Sequence, residues 1–147
     1  DTSVTEDDAS NNTATGTISV FDVDTGEGTL ASSTATYGTV VVDAAGQWTY
    51  SLDNNNAAVQ ALPAGQTLVD TITFTSDDGT TETQTITITG SNDAADITVT
   101  ASDTSVTEDD ASNNTATGTV SVSDIDTGEG TLVSSTASYG TVVVDGT

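Results

Sequence analysis

The sequence predicts an all-β fold, a Greek-key β-sandwich repeated in tandem with a period of 102 residues. Three observations carry that prediction. Thr, Val and Ile crowd the chain and alternate with polar residues between turns rich in Asp, Asn and Gly, the period-two pattern of half-buried strands. The strands so marked are short and separated by turns about 8 to 12 residues apart, the spacing of a sandwich of about 100 residues. Residues 1–45 reappear at 103–147 with only seven differences, among them Ile18/Val120, Phe21/Ser123 and Val23/Ile125. A self-similarity of this length makes the chain a window on a tandem array.

Taken in order, the expected strands are 2–5, 13–21, 37–43, 47–52, 67–76 and 81–90. The turns between them are EDDASNN, DVDTGEG, DAAG, DNNN and SDDG, and AAVQAL at 57–62 before Pro63 has room for one helical turn. Alternation places Ile18, Val20, Val40, Val42, Trp48, Tyr50, Leu52, Ile72, Phe74, Ile86 and Ile88 inward. Trp48 and Tyr50 are therefore read as core and not as a sugar-stacking platform. After residue 90 comes SNDAAD, then a strand ITVTAS at 97–102, then the repeated VTEDD. The first repeat is accordingly expected over 1–93, nearly complete but without a counterpart of ITVTAS, and the N-terminal half of a second over 94–147. Segments 1–45 and 103–147 then compete for one central half, and the strand edges left over invite exchange within or between chains.

Composition removes whole classes of function. The chain has 23 carboxylates and no Lys, Arg, His, Cys or Met, for a formal charge of −23. Nothing offsets phosphate, so nucleic acid and anionic membrane surfaces are excluded as partners. There is no thiol, imidazole or amine for nucleophilic or general-base chemistry, no disulfide, no zinc-thiolate site and no lysine for an isopeptide cross-link. The chain is read as no enzyme, with no small-molecule substrate. No stretch approaches the roughly 18 apolar residues of a membrane-spanning helix.

The acids recur in turns: Glu6-Asp7-Asp8, Asp22-x-Asp24-x-x-Glu27, Asp77-Asp78, Asn92-Asp93-x-x-Asp96, Glu108-Asp109-Asp110 and Asp124-x-Asp126-x-x-Glu129. Calcium takes six to eight oxygens from carboxylates, amides and backbone, which such turns present, whereas zinc and softer metals want the N and S ligands that are missing. Solvated β-turns use the same residues. The density of unneutralised charge favours external cations over that reading, because like charges oppose compaction. The D-T-G triplets at Asp24 and Asp126 match the aspartic-protease signature. They follow Asp-Val or Asp-Ile in a turn that occurs once per repeat, unlike a catalytic pair, and no cleft-forming insertion supports a glycosidase carboxylate pair.

The run VTEDD, TATGTISVFDVDTGEGTL, YGTVVVD and GQWTYSLDNNNAAVQALPAGQTLVDTITFTSDDGTTETQTITITGSND resembles a VCBS repeat, a module of very large bacterial surface and secreted proteins. Such repeats are similar to cadherin domains, sandwiches joined end to end by calcium. The resemblance implies a secreted, cell-surface extender module of a repeat-rich adhesin, with neighbouring repeats and other copies of itself as partners. Carried over by motif, the calcium ligands are Glu6, Asp22 and Asp24, Asp77 or Asp78, and Asn92 and Asp93 of the linker. Across the junction Asp124 and Asp126 receive the ion, and Glu108 serves the next junction. Gly90 and Ala94 stand where a cadherin linker has Asp and Asn, and LDN at 52–54 is the nearest approach to L-D-R-E, so fewer ligands are expected than in a cadherin. Two further readings stand beside this one: a self-assembling filament or matrix protein built by strand pairing between repeats, and a carbohydrate-binding module, which requires Tyr37 and Trp48 to be exposed.

Overall fold

A computed structural model describes residues 1–26, 28–133 and 135–145. It divides into two compact units, Asp1–Asn92 and Asp93–Thr147. In the first, the described residues form seven strands in two sheets. Strands β1 (Ser3–Thr5), β7 (Thr81–Thr89), β6 (Thr67–Ser76) and β3 (Leu30–Thr34) lie side by side in that order, and β2 (Thr13–Thr17), β5 (Gln47–Leu52) and β4 (Gly38–Val42) form the other sheet. All pairings are antiparallel except β1 with β7, where Ser3 lies opposite Thr87 and Thr5 opposite Thr89.

The two sheets face each other across one core. Val4, Ile72, Phe74, Ile86 and Ile88 come from the first sheet and Ala14, Trp48 and Tyr50 from the second, all buried, with Val59 of a single helical turn α1 (Ala57–Gln60) closing one end. The Trp48 and Phe74 rings meet across the sandwich at 6.3 Å, tilted 47°. Opposite Trp48 the chain uses Gly16, where a Cβ would lie 2.4 Å from the indole. The β4–β5 hairpin turns at DAAG: Asp43 Oδ1 accepts the N–H groups of Ala45 and Gln47, and Gly46 takes φ +77°.

The inward set expected from alternation is borne out at Trp48, Tyr50, Ile72, Phe74, Ile86 and Ile88, while Ile18, Val40, Val42 and Leu52 pack at its margin. Three differences have physical reasons. The strand expected over 13–21 ends at Thr17, because only Thr13–Thr17 has β5 beside it. Strand β3, LASST, was not expected, since small polar residues carry no alternation; it forms because β6 offers a ladder from Leu30↔Ser76 to Thr34↔Thr73. Ala14 and Val4 join the core from strands too short or too small-chained to mark it.

One buried group stands apart from the apolar core. Asp70 of β6, 1% exposed, accepts hydrogen bonds at Oδ1 from the backbone N–H groups of Thr36 (2.9 Å) and Thr71 (2.8 Å), and at Oδ2 from Tyr37 N–H (2.7 Å) and the Tyr50 hydroxyl (2.9 Å). It thereby ties β6 of one sheet to β5 of the other and to the β3–β4 crossing. Burial and the Asp70 hydrogen bond push the Tyr50 phenol well above its ordinary range, so it stays a donor.

The second unit holds β8 (Asp96–Ala101) and β9 (Gly118–Ser123), paired antiparallel from Asp96↔Ser123 to Ala101↔Gly118. Every residue of β8 is exposed. Loops nevertheless repeat between the units. Asp7 and Asp109 both adopt positive φ, 52° and 61°, and Thr5 N–H to Asn11 O and Thr107 N–H to Asn113 O are both 2.7 Å.

The Asp70 cluster yields the first prediction. Asp70→Ala strands the Thr36 and Tyr37 N–H groups and the Tyr50 hydroxyl in the interior, and is expected to destabilise the first unit by about 4 kcal/mol, against about 2 kcal/mol for Tyr50→Phe. Urea unfolding followed by Trp48 fluorescence measures both. A loss below about 1 kcal/mol for Asp70→Ala, the size of an ordinary point substitution, refutes the role given to it.

Candidate metal centre

The acidic residues singled out in the sequence fall into three structural situations. Glu6, just after β1, is 1% exposed: Oε1 accepts Gln60 Nε2 at 3.0 Å and Oε2 accepts Ser91 N–H at 3.3 Å, so the carboxylate is held between α1 and the segment after β7. Gln60 carried no sequence signal for this part. In the same unit the LDN motif leaves Asn54 Oδ1 buried without a hydrogen-bond partner.

The D-x-D turns form the second situation. Asp22 Oδ1 accepts Asp24 N–H at 2.7 Å, and Asp124 Oδ1 accepts Asp126 N–H at 2.9 Å, the same Asx turn in each repeat. Their surroundings differ. Asp24 is exposed, whereas Asp126 is 2% exposed, the sole buried residue among those described in the second unit. Its Oδ2 accepts Asp93 N–H at 2.9 Å, and its Oδ1 is buried with no hydrogen-bond partner. The structure thus joins the D-x-D turn of Asp124 and Asp126 to the backbone of Asp93. Glu27, the last acid of the first D-x-D set, lies outside the described residues.

The third situation is an exposed, self-satisfied turn. At the β6–β7 hairpin the Asp77 carboxylate accepts the Thr29 hydroxyl, and Asp78 accepts the Ser76 hydroxyl, Thr80 N–H at 2.9 Å and Thr80 Oγ1 at 3.0 Å. Asn92 and Glu108 are exposed. Among the described residues no three acidic side chains converge as a ready-made metal cage. Trp48 is 4% exposed and Tyr37 packs on the core, so the displayed aromatic pair that carbohydrate binding requires is not formed.

A buried carboxylate oxygen without a donor is costly unless a cation or another donor meets it. The chain has no Lys, Arg or His to serve Asp126. An all-oxygen donor set with one such orphaned atom fits a hard divalent cation such as calcium, whose remaining positions backbone carbonyls and water can fill.

A family model described as a bacterial cadherin-like domain matches residues 1–90. No curated protein matches the chain. Domains of that family are non-catalytic structural and adhesion domains and occur in extracellular adhesins. Among the described residues no helix is long and apolar enough to cross a membrane.

Hydrogen bonds in the turns hold several carboxyls below the ordinary Asp range. For Asp8 and Asp110 the main cause is the hydroxyl two residues on, Ser10 Oγ and Ser112 Oγ, each 2.6 Å away; for Asp78 it is Ser76. A folded-state value below the unfolded one means that the cap is fully present above the unfolded value and is lost as pH falls through the folded one. Carboxyl-carbon NMR titration is therefore expected to show Asp8 and Asp110 protonating later than ordinary Asp residues on acidification. Ser10→Ala should raise the Asp8 midpoint and leave Asp110 where it was; equal movement of both, or none, contradicts the assignment.

Proposed function

Because the chain belongs to the bacterial cadherin-like domain family, we propose that it is an extender module of an extracellular adhesin, of the VCBS-repeat type, stiffened by calcium at its acidic turns and repeat junctions and holding a distal binding region away from the cell. The observation that carries the calcium part is Asp126 Oδ1, a buried carboxylate oxygen with no hydrogen-bond partner in a chain without a basic side chain.

Within the second unit, Asp126 and Asp124 would hold the ion, at the turn to which the Asp93 N–H is tied. Calcium supplies positive charge and an ordering centre, with no chemistry beyond that. Asp93 opens the unit and its N–H donates to Asp126 in the D-x-D turn, so an ion held at that turn would restrain the segment that leads into β8. Each ion also offsets two of the 23 negative charges, and so weakens the repulsion that opposes compaction.

Metal bound by the folded state alone stabilises it by mass action, by roughly 2.7 kcal/mol at a free concentration a hundred times Kd. Titration calorimetry is expected to show calcium binding, and circular-dichroism melts to shift upward in calcium and downward in chelator. Asp126→Ala should remove the binding step assigned to the D-x-D turn while leaving unfolding of the first unit in chelator unchanged. Melts that coincide in calcium and chelator, with no heat of binding, would overturn the calcium reading and leave the family membership intact.

A further inference from the structure

We infer that the chain leaves the first unit through a latch that works without metal, in which Glu6 and the turn at residues 63–66 together hold residues 89–91 in one position. The inference goes beyond the calcium reading and does not depend on it.

Strand β7 ends at Thr89, and the backbone that follows is gripped from two sides. On the first side Glu6 N–H donates to Thr89 O at 2.9 Å, which carries the parallel β1–β7 pairing one residue past β1. The Glu6 side chain reaches further along, and its Oε2 accepts Ser91 N–H at 3.3 Å. On the second side Gly65 N–H donates to Gly90 O at 3.0 Å and Gly90 N–H donates to Gln66 O at 2.9 Å, continuing the β6–β7 pairing beyond Thr67↔Thr89. Gln66 N–H donates to Pro63 O at 2.9 Å, so the gripping turn is closed on itself. Helix α1 joins the two sides: Gln60 Nε2 donates to Glu6 Oε1 at 3.0 Å, and the chain runs from α1 directly into the turn.

The fit at the centre of the latch is backbone against backbone. Gly90 is buried, and a Cβ on it would collide with the backbone oxygens of Leu62 and Pro63. Packed backbone cannot swing aside as the tip of a side chain can. The position at which a cadherin linker has an aspartate is therefore held here by a glycine because the segment after α1 lies against it, and a contact stands in place of a ligand.

Glu6 acts in the latch as a positioning residue. Its side chain is 1% exposed and each carboxylate oxygen accepts an N–H, from Gln60 on one side and Ser91 on the other. Hydrogen bonds to a charged acceptor are the strong kind, and a buried acceptor so satisfied fixes the placement of its donors. The exit of the first unit is thus expected to keep its shape in chelator, whatever the D-x-D turn of Asp124 and Asp126 does there.

The test is amide hydrogen exchange read by NMR on the full chain, in calcium and in chelator. In the parent chain the Gly65 and Gly90 amides are expected to exchange at the same slowed rate in both media. Gly90→Ala is expected to speed exchange at Gly65 and Ser91 by about tenfold or more, equally in both media. Glu6→Gln, which leaves one acceptor oxygen for two donors, is expected to speed it at Ser91, again in both. Trp48 fluorescence reports that each variant folds. Where Gly90→Ala does not fold, Gln60→Ala takes its place: it unties Glu6 Oε1 outside the sheets and is expected to speed exchange at Ser91. Loss of Gly90 protection on chelation overturns the latch, as does a Gly90→Ala chain that exchanges like the parent, or a Glu6→Gln effect seen in calcium alone, which would make Glu6 a metal ligand. Melts that coincide in calcium and chelator would remove the calcium reading and agree with the latch.

Discussion

The Asp70 carboxylate is the constraint on which the first unit depends. A sandwich with one tryptophan, two phenylalanines, no disulfide and no basic side chain has little to fix the relative placement of its sheets beyond a thin apolar core. Asp70 supplies a directional link. From β6 it gathers the N–H groups of Thr36 and Tyr37, at the point where the chain leaves one sheet for the other, and the hydroxyl of Tyr50 on the facing sheet. Hydrogen bonds to a charged acceptor are the strong kind, and a buried one that is fully satisfied specifies a single arrangement of its donors. Trp48, Phe74 and Val59 can then pack around a geometry already chosen. This also explains why an acid is tolerated inside a chain that is otherwise repelled by its own charge: the dipoles of four donors stand in for the missing cation.

The two near-identical copies separate what a sequence decides locally from what its neighbours decide. The Glu6–Asn11 loop and its counterpart reproduce the same positive φ, the same serine cap and the same closing hydrogen bond, although one follows a strand in a packed sandwich and the other does not. Asx and Ser caps within a few residues suffice for that. Strands behave otherwise. In the first copy the strand covers Thr13–Thr17, where β5 pairs with it, and in the second it covers Gly118–Ser123, where β8 does. The same sequence is strand or loop according to which partner is present, as expected when β structure is settled by cross-strand contact more than by backbone preference.

That distinction fixes how much was legible beforehand. Strands Gln47–Leu52 and Thr67–Ser76 could be bounded to the residue, because long β-branched or aromatic alternation runs between unmistakable turns. LASST could not, since its only reason to be a strand is the edge of β6. Asp70 was legible in principle: it occupies an inward position in the alternation Leu68, Asp70, Ile72, Phe74, and an acid there is either paired or an error in the strand assignment. Of the candidate metal ligands, the pairing of acids within each D-x-D turn was readable from spacing. The burial of Asp126 against the exposure of Asp24 was not, because identical motifs acquire different surroundings only through contacts distant in sequence.

Charge gives these observations a common logic. At −23 the chain cannot neutralise itself, so each acid must be dispersed in solvent, capped by dipoles, or met by an ion from outside. Asp77 and Asp78 take the hydroxyl and N–H caps of a hairpin, Asp8 and Asp110 those of a serine, and Asp70 those of the sandwich interior. Asp126 departs from the pattern, with one oxygen capped by Asp93 N–H and the other buried without a donor. The same D-x-D turn in the first repeat leaves Asp24 exposed to solvent, so the difference lies in the surroundings of the turn and not in its sequence.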